Sequence, residues 1–85
     1  KKWGKLRIQR ELKARGLTDY NIEAGLSEIT DDDYYDTLNL LAEKKQATIK
    51  EKNPYKAKAK LANFLLYRGF EPELVYEIVD ELYDE

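Results

Sequence analysis

The side chains that most often carry out chemistry are missing from this chain. It has no histidine and no cysteine, which removes the commonest general base, the commonest transition-metal ligand and all thiol chemistry. Its only serine, Ser27, falls on an acidic helix with no base to activate it. Asp31, Asp32 and Asp33 suggest a divalent-ion site, but consecutive helical residues point about 100° apart, so three in a row do not converge on one ion. They read instead as acids favoured in the first turn of a helix. There is no glycine-rich phosphate loop. The expectation is a non-enzymatic protein with no cofactor, no metal and no small-molecule substrate.

What remains is charge and its arrangement. The net charge of −2 conceals four blocks. Lys1, Lys2, Lys5, Arg7, Arg10, Lys13 and Arg15 face one acid, Glu11, in residues 1–15. Residues 19–36 hold Asp19, Glu23, Glu28, Asp31, Asp32, Asp33 and Asp36 with no base. Lys50, Lys52, Lys56, Lys58, Lys60 and Arg68 then face Glu51, and residues 71–85 are acidic again. A near-neutral total therefore coexists with positive faces able to contact phosphates or an acidic protein surface. The bland alternative is a set of solvated helix faces whose opposite charges pair within the molecule, each exposed pair contributing about 0–1 kcal/mol. Trp3, Tyr55 and Phe64 raise stacking on bases, although Phe64 falls on an apolar face and reads as core. The seven tyrosines read as the rim of a thin core, some of them as interface anchors.

The elements that must position these charges form an internal repeat. A shift of 53 residues aligns Arg15-Gly16 with Arg68-Gly69, Lys5 with Lys58, Leu12 with Leu65 and Glu28 with Glu81. Apolar residues pair in the same register, among them Ile8 with Leu61, Leu17 with Phe70, Ile22 with Val75 and Leu26 with Val79. Each unit opens with a basic helix, over about Trp3 to Arg15 and Pro54 to Arg68. Gly16 and Gly69 end these helices in a positive-φ conformation. Asn53 caps the second, with Pro54 at its first position. An acidic helix follows in each unit. Thr18 caps the first, and Leu17/Ile22 and Phe70/Val75 have hydrophobic-staple spacing. A further helix, capped by Thr30, carries a buried stripe of Tyr34, Leu38 and Leu41, ends in Lys44 and Lys45, and extends toward Ile49. Leu12 and Leu65 are each expected to be buried at a helix junction.

The fold class expected is all-α: tandem three-helix, helix-turn-helix-like repeats, the second truncated to two helices. The division expected is a three-helix module at 1–49, a linker at 50–53 and an incomplete module at 54–85. No apolar run approaches the ~18 residues of a membrane span. With Lys1 first and no methionine, the sequence reads as a fragment of a longer, cytoplasmic protein.

Two strings resemble the RecX family of regulators. Lys2-Trp3-Gly4-Lys5-Leu6-Arg7-Ile8, with Glu11-Leu12 and Arg15-Gly16-Leu17, is similar to the second module of that family. Lys60-Leu61-Ala62-Asn63-Phe64-Leu65-Leu66-Tyr67-Arg68-Gly69-Phe70 is similar to the third. The segment through Leu41, Lys44 and Lys45 fits the closing helix of the second module. The chain departs from the family pattern at Lys5, where proline is frequent, and at Asn63, where arginine is. The resemblance implies tandem three-helix modules that bind the RecA recombinase or its nucleoprotein filament, restrain its activity, and contact single- or double-stranded DNA. The residues expected to make these contacts are Lys2, Lys5, Arg7, Arg10, Lys13, Arg15, Lys44, Lys45, Lys56, Lys58, Lys60 and Arg68. The alternatives are a sequence-nonspecific DNA-binding module and a helical protein–protein adaptor without nucleic acid.

Overall fold

The computed structural model describes residues 3–83. These form helices α1 (Lys5–Ala14), α2 (Asp19–Leu26), α3 (Asp31–Thr48), α4 (Pro54–Tyr67) and α5 (Pro72–Tyr83), with no strand among the described residues. The ends lie where local chemistry sets them. The Thr18 and Thr30 hydroxyls accept from the Asn21 and Asp33 amides at 3.2 and 3.1 Å. Asn53 Oδ1 accepts from Tyr55 and Lys56 at 2.9 and 3.3 Å. Each capping oxygen satisfies an amide that the helix itself leaves unpaired.

The repeated glycine turns match in detail. Gly16 and Gly69 have φ of +91° and +94°. The Gly16 amide donates to the Lys13 carbonyl and Leu17 to Leu12; likewise Gly69 donates to Leu66 and Phe70 to Leu65. Both are Schellman motifs, in which the two residues after the helix close its last carbonyls.

The packing divides the chain at residues 27–30, not at the 50–53 linker. α3 packs on α4 and α5, and α1 packs on α2. The core is one cluster built from Tyr34, Leu38 and Ala42 of α3, Leu61, Ala62 and Leu65 of α4, Phe70, and Val75, Ile78 and Val79 of α5. The grouping is thus two helices and then three, the reverse of the three-then-two grouping expected. The cause is the face of α3: its buried stripe runs Tyr34–Leu38–Ala42, with Leu41 only half-buried, and that stripe meets the apolar faces of α4 and α5. Ile49 ends α3 and also packs on this core, so the segment before Pro54 belongs to the C-terminal unit.

The N-terminal pair has little core of its own. α1 buries no residue fully, and α2 buries only Ile22. Leu6 and Leu17 are exposed, and Ile8 and Leu12 are half-buried. The pair is held to the C-terminal unit at the start of α1, where no side chain caps the helix at Gly4. The Gly4 amide donates instead to the Arg68 carbonyl at 2.8 Å and the Leu6 amide to the Gly69 carbonyl at 2.9 Å. Between them, the Lys5 amide donates to the Tyr34 hydroxyl at 2.8 Å. That hydroxyl donates to Glu71 Oε1 at 2.6 Å, and the Tyr34 ring lies 5.6 Å from that of Phe70. The positive end of α1 therefore abuts the negative end of α4. The approach requires glycine on both sides. A Cβ on Gly4 would overlap the backbone of Gly69 and Phe70, and one on Gly69 would overlap Arg7.

Two predictions follow from this packing. Leu65 is fully buried in the core cluster, so Leu65→Ala costs about 2–5 kcal/mol. Leu12 is only half-buried, which corrects the burial expected of it, and Leu12→Ala costs no more than about 2 kcal/mol. Thermal melting of the two variants checks the order. The second concerns Tyr34. Burial, then its hydrogen bond to Glu71, holds the phenol proton far above the ordinary tyrosine value of 10.0. A folded-state pKa raised in this way gives stability that is complete below the unfolded value and lost as pH rises beyond it. The melting-temperature gap between the native chain and Tyr34→Phe is therefore expected to narrow above pH 10 and to stay constant between neutral pH and pH 9.

Candidate nucleic-acid or protein interface

The joint aligns two basic crevices. The first lies between α1 and α4 and is lined by Arg7, Arg10, Glu11, Leu66 and Tyr67. The second lies between the end of α3 and α4 and is lined by Lys45, Thr48, Ile49, Lys50, Lys60, Asn63, Phe64 and Tyr67. Tyr67 is common to both and is 79% exposed. It stands two residues past the buried Leu65, which places it on the opposite side of α4. Lys56, Lys60, Asn63 and Tyr67 follow one another at i, i+4, i+7 and i+11, a single exposed stripe along α4.

Several cations in this band are held against rings. The Arg7 guanidinium lies 4.3 Å from the Trp3 ring centroid and 5.9 Å from that of Tyr67. Lys45 and Arg68 lie 4.8 and 5.1 Å from the Phe64 ring. A cation over an aromatic face keeps its charge and loses part of its freedom, so less ordering remains to be done when an anion arrives. Phe64 thus serves twice, half-buried against the core and as the platform under two cations.

The expected contact residues separate into groups. Arg7, Arg10, Lys45, Lys60 and Arg68 come together in the band, and Lys56 extends it along α4. Lys60 also reaches Glu51 at 3.6 Å. Lys5 lies instead at the joint, its ammonium 4.7 Å from the Tyr34 ring. Lys13 pairs with Asp19 at 3.1 Å, and Arg15 is exposed at the far end of α1. Lys58 pairs with Asp80 at 2.9 Å on a different side of α4. Lys44 is exposed beside the second crevice without lining it. Lys2 lies outside the described residues. Lys50, Asn63 and Tyr67 join the band without having been singled out. For Tyr67 the signal was available, since its position relative to Leu61 and Leu65 puts it on the solvent side of α4. For Lys50 it was not, because its place depends on how α3 packs against α4.

The band carries no catalytic constellation: basic and aromatic groups surround it, and the one acid lining it is Glu11. Among the described residues no group of carboxylates is arranged to hold a metal ion, and no helix is long and apolar enough to cross a membrane. What the arrangement can do is bind a negatively charged surface, with Tyr67 offering an exposed ring among the charges.

Comparison with known proteins agrees with the division seen in the packing. Residues 31–79 match the family model described as RecX, third three-helix domain, which spans α3, α4 and most of α5. Residues 1–26 match RecX, second three-helix domain. The chain is 28% identical over 81 residues to the regulatory protein RecX of Clostridioides difficile (strain 630), an alignment covering 95% of this chain and 38% of that protein. This chain thus spans well under half the length of that relative. No solved structure matches it. With the third-domain model alone covering more than half of its residues, and those residues forming the packed three-helix unit, the chain belongs to the RecX family.

Proposed function

We propose that the chain is a non-enzymatic modulator that binds the RecA recombinase or its nucleoprotein filament and inhibits recombinase activity. Membership in a family with a relative named a regulatory protein carries the reading, and the basic, aromatic band gives it a surface. The filament offers phosphates and acidic protein side chains, and both are partners for Arg7, Arg10, Lys45, Lys50, Lys60 and Arg68. The band spans the joint between the two packed units, so binding there engages both at once. Its work is done in the cytoplasm, by occupancy and not by chemistry, and needs no cofactor. An exposed tyrosine flanked by cations also favours a second reading, a sequence-nonspecific DNA-binding module that stacks on single-stranded bases.

RecA ATPase on single-stranded DNA tests the proposal. Stoichiometric protein is expected to inhibit hydrolysis, and Arg7→Glu combined with Lys60→Glu to abolish most of the inhibition. Undiminished hydrolysis with the unaltered protein contradicts the reading. Capture of RecA in DNA-free buffer separates it from the second reading, which predicts DNA affinity alone. In either case, removing two phosphate contacts lowers the slope of log affinity against log salt by about 1–2.

A further inference from the structure

The chain carries a further recess whose character is the opposite of the basic band. It lies between α4 and α5, has a volume of about 240 Å³, and is more apolar than polar. Tyr55, Lys58, Ala59 and Ala62 of α4 and Tyr76, Val79 and Asp80 of α5 line it. The two tyrosines are 82% and 53% exposed, so both present ring surface to solvent. The recess exists because positions 59 and 62 hold alanine; a larger side chain at exposed Ala59 would fill it.

Charge selects what fits. Glu73, Tyr76 and Asp80 fall at i, i+3 and i+7 on α5, one exposed stripe beside the recess, with Glu77 next to it. Residues 69–83 contain no base. Lys58, the one cation lining the recess, is tied to Asp80 at 2.9 Å. That pair balances itself, so the net charge beside the recess is the negative charge of Glu73 and Glu77. A cation is attracted by the carboxylates and by two tyrosine faces, and the volume matches one long side chain.

We infer that this recess is a docking site for a basic segment of a protein partner, which inserts an arginine or lysine side chain between Tyr55 and Tyr76. The inference does not depend on the recombinase reading. It gives the chain two faces of opposite charge, one for an anionic surface and one for a cationic protein segment. Exposed tyrosines around a small pocket have the character of interface anchors.

The test uses the chain itself and a short fluorescein-labelled amphipathic peptide of arginine and leucine, read by fluorescence anisotropy. The peptide binds, and its counterpart with glutamate in place of arginine does not. Ala59→Leu removes no charge and fills the recess; it and Tyr76→Ala are each expected to weaken binding by about tenfold or more, as for an anchor residue. Unchanged melting temperatures show that these exposed substitutions leave the fold intact. Tyr67→Ala leaves peptide affinity unchanged, since Tyr67 belongs to the other face. Absence of binding, or full affinity in Ala59→Leu, overturns the assignment. So does an equal loss on neutralising Asp31, Asp32 and Asp33, which would mark the attraction as general charge. Sedimentation showing self-association that Tyr76→Ala abolishes would replace the basic partner with a second copy of the chain, and would overturn the assignment as well.

Discussion

The structure depends on how the first turn of α1 disposes of its amides. A helix begins with unpaired donors, and α1 has only Gly4 at its cap, without a side chain to accept from them. The Arg68 and Gly69 carbonyls and the Tyr34 hydroxyl accept them instead. The C-terminal unit thereby completes the secondary structure of the N-terminal one. This matters because α1 and α2 contribute one fully buried side chain between them, Ile22. A two-helix pair with so small a core is marginal by itself. Its order comes through the contact with Tyr34 of α3 and the Arg68–Gly69 turn after α4, and that contact is made by backbone as much as by side chains.

The glycine turn that closes α4 consequently has two roles. It ends the helix through a positive φ, as the corresponding turn does after α1, and it exposes the carbonyls that receive Gly4 and Leu6. The two copies differ in their surroundings. A Cβ on Gly69 would strike Arg7, whereas nothing lies within 4 Å of where one on Gly16 would be. Sequence similarity between the turns thus conceals a difference in use. The same joint brings Arg7 and Arg10 of α1 beside Leu66 and Tyr67 of α4, so the crevice between α1 and α4 exists only while the two units stay docked. Apart from the Lys58–Asp80 and Lys60–Glu51 pairs, cations gather around Tyr67 and Phe64 and carboxylates along the outer side of α5.

Much of this was legible in the sequence, and the limits have physical causes. Thr18, Thr30, Asn53, Gly16 and Gly69 act locally, over three or four residues, so their roles could be read from neighbours alone. The apolar periodicity located the helices and most of the core stripe for the same reason. The partner of α3 could not be read, because Tyr34 and Leu38 specify an apolar face without specifying what covers it. Leu12 and Leu65 occupy equivalent positions in the repeat, yet only Leu65 is covered by a third helix. Gly4 gave no signal, since its requirement for a bare Cα comes from a backbone 65 residues away at Gly69. The candidate band was legible as charge and illegible as a surface: Arg7, Lys45 and Lys60 come from three helices, and only the docking of those helices makes them neighbours.

Backbone contact at the joint holds the two packed units in one fixed arrangement. Gly4→Ala tests it most directly, because Gly4 has φ −74° and ψ 165°, a conformation alanine adopts without strain. Only the added methyl group, set against Gly69 and Phe70, is new. Small-angle scattering combined with amide exchange reads the outcome. The expected result is a radius of gyration larger than that of the native chain, whose Cα atoms give 14.2 Å, with loss of protection at Leu6 and unchanged protection in α4 and α5. A Gly4→Ala chain with native dimensions and native protection at Leu6 would contradict it.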